Sequence, residues 1–127
     1  MWVKFNDQAP NDPEIDALTD GAFRLWFTAI CYSQAEQTDG IVAATKLRRL
    51  TPNYKPSHLD ELTADNGNPS GPILRAVGPD YEIRNFLKWN KSKAYWQKKR
   101  ADDRARLEQW RAENASKEGG NEPSNDH

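Results

Sequence analysis

Ile73-Leu74-Arg75-Ala76-Val77-Gly78-Pro79-Asp80-Tyr81-Glu82-Ile83 places two short β-prone runs, 73–77 and 81–83, on either side of Gly78-Pro79-Asp80. Such runs around a tight turn predict a hairpin. Two short helical units precede it. Pro56 to Asp65 sets Leu59 and Leu62 three apart and stops at Asn66-Gly67, a pair suited to a left-handed helix end. Its Ser57-x-x-Asp60 is a weak capping box. Ala44 to Leu50 sets Leu47 and Leu50 three apart with Lys46, Arg48 and Arg49 around them, and Thr51-Pro52-Asn53 is the turn between the units.

Further outward, Thr38-Asp39-Gly40 reads as a turn, and Ile41-Val42 after it is long enough only for a token strand. From Ala22 to Ala35 the apolar residues Phe23, Leu25, Trp26, Phe27, Ile30 and Tyr32 fall nearly all round a helix, which predicts a central, buried element. Asp12-Pro13-Glu14 offers a cap, a first-position proline and a first-turn acid, so a short helix is expected to open there and run through Leu18. Trp2 to Phe5 alternates like a short edge strand. Downstream, residues 90–114 contain neither Pro nor Gly, and a long terminal helix is expected.

Composition bounds the function. The 127 residues carry 18 Lys+Arg against 19 Asp+Glu, 36% hydrophobic and 29% charged residues, which suits one small domain with a modest core and a tail. No run approaches a membrane span, and the start Met-Trp-Val-Lys-Phe lacks the order of a secretory signal. The chain is therefore expected in the cytoplasm, that of the host if it is phage-encoded, with no membrane partner. The near-zero total hides an asymmetry: residues 1–87 hold eight bases against twelve acids, 88–112 nine against three, and 113–127 one against four. The last block lacks the apolar content to offset ordering entropy and reads as a disordered tail. The expected organisation is a domain over 1–89, a basic helix over 90–113 and a tail over 114–127.

Helix, short strand, helix, turn, helix and hairpin is the order of a winged helix-turn-helix, with the hairpin as wing and Pro56 to Asp65 as the helix facing DNA. The expected fold class is thus α+β, a winged helix-turn-helix with a long basic C-terminal helix. At residue level, Trp2-Val3-Lys4-Phe5, Phe23-Arg24-Leu25-Trp26-Phe27, Thr38-Asp39-Gly40-Ile41-Val42 and the run from Tyr81 to Asn90 resemble small actinobacterial and phage winged-helix proteins. Those in turn resemble the amino-terminal domains of phage replisome organisers and DnaD-type primosomal proteins. The resemblance covers about residues 1–112 and implies a DNA-binding protein of phage replication or regulation. The chain departs from that group at Ala64-Asp65-Asn66-Gly67 and the insert to Pro72, where an Ala-Gly-Leu-Trp-like helix end is expected.

Phosphate contact rests on Lys and Arg. In such a fold Lys46, Arg48 and Arg49 lie on the helix that crosses the DNA backbone, Lys55, Ser57 and His58 on the recognition helix, and Arg75 and Arg84 on the wing, within reach of a minor groove. Asp60, Glu61 and Asp65 make that recognition helix acidic. The terminal segment adds Lys91, Lys93, Lys98, Lys99, Arg100 and Arg104 beside aromatic rings, a composition suited to nucleic acid. The tightest cluster, Lys98-Lys99-Arg100, is the favoured phosphate contact.

Each feature also has a plainer reading, as a solvated charged face or a packed aromatic stripe. The competing function is a protein-interaction module in which Trp96, Leu107 and Trp110, on one stripe, self-associate as a homodimer or dock a host replication or transcription protein. Catalysis is not expected. His58 and His127 lack a companion acid or cysteine at catalytic or ligand spacing, and the single Cys31 reads as a small apolar helix residue. No Gly-rich phosphate loop occurs. Neither a metal nor another cofactor is expected.

Overall fold

The computed structural model describes residues 2–118 of the chain. It divides into one unit ending at Lys93 and a second beginning at Ala94. The class is α+β, with a small three-stranded antiparallel sheet and a long C-terminal helix.

The N-terminal segment does not form the edge strand expected over Trp2–Phe5. Its backbone groups are taken instead by side-chain amides: Gln34 Nε2 donates to the Trp2 carbonyl at 3.0 Å, and Asn90 bonds both backbone groups of Lys4. A 3-10 turn over Ala9–Asn11 leads into α1, Pro13–Asp16. This helix opens as expected, with the Asp12 carboxylate accepting the Glu14 N–H at 2.9 Å, but stops two residues before Leu18.

Helix α2, Asp20–Glu36, starts at its N-cap Thr19. It is not buried all round. Ala22, Leu25, Ala29, Ile30, Ser33 and Gln34 face inward, whereas Phe23 and Phe27 are 38% and 44% exposed. Phe5 stacks on Phe27 and meets Trp26 edge-on, so part of the aromatic content forms a surface cluster and not core.

Ser33 Oγ holds the turn after α2, accepting the Gly40 N–H at 2.7 Å and bonding the Thr38 hydroxyl at the same distance. Gly40 is required there twice over: its φ is +88°, and an added Cβ would lie 2.8 Å from Phe86 Cβ. The chain then enters β1, Ile41–Ala43, and turns directly into α3, Ala44–Leu47. Helix α4, Pro56–Thr63, follows, and β2, Leu74–Val77, with β3, Asp80–Ile83, forms the expected hairpin. The sheet order is β1-β3-β2, with Val42 opposite Tyr81 and Arg75 opposite Glu82. A strand of three residues survives because it pairs along the free edge of β3 and buries Val42.

The core gathers Ile15, Leu25, Ala29, Ile30, Val42, Leu47, Leu62, Ile73, Leu74, Ile83 and Phe86, three of them from α2 and one from each of α1, β1, α3, α4, β2, β3 and α5. The Ser57-Asp60 box does not form, because α4 begins two residues earlier than that box requires. Lys55 is its N-cap, and His58 Nδ1 accepts the Lys55 N–H at 3.3 Å. The run after the hairpin contains a separate helical turn, α5, Phe86–Trp89, before an extended Asn90. The long helix α6 therefore spans Lys93–Glu118 in place of 90–113. Asn90 is drawn out of helical geometry by its bonds to Lys4, and at the far end no glycine occurs before Gly119. The helix thus covers 114–118 of the segment read as a tail, and the rest of that segment, 119–127, lies outside the described residues. Among the described residues no helix is long and apolar enough to cross a membrane.

Candidate functional site

Helices α3 and α4, with the connection between them, present Lys46, Arg48, Arg49 and Lys55 on the surface of the first unit. Leu47 and Leu62, both fully buried, anchor the two helices from beneath and leave the charged positions outward. The four cationic groups make no ion pair among the described residues.

The acids on α4 are less uniform than the sequence suggests. Glu61 turns back onto α2, where its carboxylate accepts the Thr19 N–H at 2.9 Å and the Thr19 hydroxyl at 2.6 Å. Those bonds, led by the hydroxyl, hold its pKa below the ordinary glutamate value despite partial desolvation, and His58 adds a smaller favourable charge term. Asp65 accepts the Gly67 N–H at 3.0 Å in a local turn. Ser57 and Asp60, three apart and both exposed, then lie on the outward face of α4. One carboxylate, that of Asp60, remains on it.

Three predicted contact residues are engaged internally. His58 packs on the backbone of Gly21: a Cβ added at Gly21 would meet the imidazole at 2.2 Å, so the ring fills the space over α2 and does not project from α4. Arg75 pairs with Glu82 directly across the hairpin, which offsets its charge. Arg84 has its side chain only 11% exposed; it ion-pairs with Glu14 and donates to the Gly71 carbonyl at 2.8 Å. Asn68 donates to the other Glu14 oxygen at 2.9 Å. Burial alone would raise the Glu14 pKa, but the bonds from Asn68, Arg84 and Asn66 together with the Arg84 charge hold it below the ordinary value. The insert before the hairpin, residues 64–72, is thereby tied to α1 and to the end of β3.

A cleft of about 650 Å³ lies beside the N-terminal segment, with Phe5, Trp26, Ile30, Phe86 and Trp89 among its walls. Much of its polar lining is already engaged: Glu14 with Asn68 and Arg84, Asn90 with Lys4, Asn11 with Gln8. Cys31 is half-buried, and burial pushes its thiol pKa up, away from the reactive thiolate. Among the described residues no group of three His, Cys, Asp or Glu side chains could hold a metal ion.

In the second unit, Lys98, Lys99, Arg100 and Arg104 are all exposed along α6; Lys99 lies 4.0 Å from Asp103, which Arg106 also pairs at 2.9 Å. Lys91 and Lys93 are exposed near the start of that helix. Of the three residues assigned to protein interaction, Leu107 and Trp110 are 45% and 59% exposed and Trp96 is half-buried. Sequence reasoning gave no role to Gln34 and Asn90, the amides that position the N-terminal segment. Gln34 carried a signal, a polar side chain within a largely apolar helix, whereas Asn90 sits in a polar run and carried none. Compared with family models, curated proteins and solved structures, the chain matches none of them.

Proposed function

We propose that the chain is a non-catalytic winged helix-turn-helix protein that binds double-stranded DNA, in the replication initiation or transcriptional regulation served by the phage proteins it resembles. In this reading α3 and α4 are the helix-turn-helix pair and β2–β3 is the wing. The observation that carries it is the set Lys46 on α3, Arg48 and Arg49 just past its end, where the sequence had placed them on the helix, and Lys55 at the cap of α4, all exposed and without ion-pair partners around the helix pair by which that fold meets the phosphate backbone. The turning of Glu61 onto Thr19 supports it, because it removes one carboxylate from the face that phosphates would approach. Lys98 and Arg104 supply a second basic surface. Arg75, Arg84 and His58 drop out of the contact set, which makes the expected binding dominated by phosphates and weakly selective for sequence.

Fluorescence anisotropy against random duplex DNA at two salt concentrations tests this. Micromolar binding that weakens steeply with salt is expected, with a slope near 0.9 for each phosphate neutralised. Absence of binding at low salt would move the assignment to the second reading, a protein-interaction module. That reading rests on the exposure of Leu107 and Trp110 in α6.

A further inference from the structure

Trp96, Arg100, Asp103, Leu107, Trp110 and Asn114 follow one another along α6 at spacings of four, three, four, three and four. At 3.6 residues per turn this keeps them on one narrow stripe, the geometry by which one helix pairs with another. Leu107 and Trp110 lie exposed on it and border, with Asp103 and Arg106, a shallow groove of about 320 Å³. Asp103 does not bring a bare charge to that stripe, since Arg106 and Lys99 flank it.

Charge placement along the helix favours one occupant of the stripe and one direction over the alternative. From Lys93 to Arg106 the helix has six bases and two acids; from Leu107 to Glu118 it has two bases and three acids. A second copy laid parallel and in register would set Arg100 and Asp103 each against its own image, like charge on like charge. Laid antiparallel about Ala105, it sets Arg100 opposite Trp110, Asp103 opposite Leu107 and Lys99 beside Glu113 of the second copy. Those pairings supply a cation over an aromatic face, an ion pair between chains and closure of the Leu107-Trp110 groove. We propose that α6 pairs antiparallel with α6 of a second copy, centred on Ala105, making the protein a homodimer through this helix. Lys98, Ala101 and Ala105 lie on the opposite face, which leaves Lys98 outside the seam. The pairing rests on the second unit alone and is independent of whether α3 and α4 contact DNA.

Sedimentation equilibrium of the full chain is expected to show a monomer–dimer equilibrium, and a monomeric mass at every concentration up to about 1 mM would overturn the proposal. Trp110→Ala is expected to weaken association about tenfold or more, with helix content checked by circular dichroism. Lys99→Glu should also weaken it, and Lys99→Glu combined with Glu113→Lys should restore it; failure of the exchange to restore it would overturn the register. Direction is read from spin labels on single cysteines introduced at Ala105 or Ala112 in a Cys31→Ser background. In an antiparallel pair the offset between two labels along the axis grows by about 3 Å per residue from the centre, reaching about 21 Å at position 112. Equal separations at the two positions would mean a parallel pair and would sink the proposal.

Discussion

The side-chain carbonyl of Asn90 accepts the Lys4 backbone N–H at 2.8 Å, and its amide nitrogen donates to the Lys4 carbonyl at 3.3 Å. One buried side chain, 86 residues away in sequence, thus fills both places that a neighbouring strand would fill. Asn90→Ala leaves the two Lys4 groups without that partner and is expected to lower stability by about 1–3 kcal/mol. Asn90→Asp keeps the acceptor and loses the donor, so it should fall between wild type and alanine. Urea midpoints of the three proteins check the order, and an alanine variant as stable as wild type would refute the role given to Asn90.

His58 over Gly21 joins α4 to the start of α2 by contact alone. Gly21→Ala puts a methyl group into the imidazole and is expected to destabilise by about 1–3 kcal/mol. Adding His58→Ala removes the obstacle and should recover most of that loss relative to His58→Ala alone, a coupling that a double-mutant cycle measures directly. Independent, additive effects would show that the contact is not where the energy lies.

Glu14 and Glu61 both have folded-state pKa values below the ordinary glutamate value of 4.5. Each carboxylate is bound more tightly when ionised in the folded state, so its contribution is present above the unfolded value and is lost as pH falls through the folded one. Stability should therefore decline on acidification below about pH 5. In Glu61→Gln and Glu14→Gln the decline should be shallower, and each variant should differ from wild type more at pH 7 than at pH 3. Denaturant midpoints against pH provide the measurement; a parallel decline in all three proteins would exclude these two groups as its source.

Under the proposed DNA binding, the unpaired cations and the internally paired ones should respond differently to substitution, and one experiment distinguishes them. Replacing Arg48, Arg49 and Lys55 together by alanine should flatten the log-affinity against log-salt slope by about three units, with little change in stability. Arg84→Ala is expected to leave the slope unchanged while lowering stability by about 2–3 kcal/mol, because Glu14 loses its ion-pair partner in a mostly buried setting. Arg75→Ala should change neither by much, since an exposed pair with Glu82 contributes little. A slope that responds to Arg84→Ala and not to the triple variant would reverse the assignment.

Local chemistry was enough to read several elements directly. Asp12-Pro13-Glu14 capped and opened α1, Thr38-Asp39-Gly40 turned the chain into a strand, and the two β-prone runs around Gly78-Pro79-Asp80 closed a hairpin. In each case the determining contacts lie within a few residues, so spacing and residue type carry the information. Tertiary structure decided the rest. Gln34 and Asn90 replaced the sheet edge expected for Trp2–Phe5, Phe23 and Phe27 came to the surface of a helix that reads as buried, and Asn90 broke the long helix from the hairpin run. The division between free and engaged charges was decided in the same way. Lys46, Arg48 and Arg49 resemble Arg75 and Arg84 in sequence, and only the cross-strand pairing with Glu82 and the approach of Glu14 separate them. A charged side chain is neutralised by whatever the fold brings within about 4 Å, and that distance is set by residues far away along the chain.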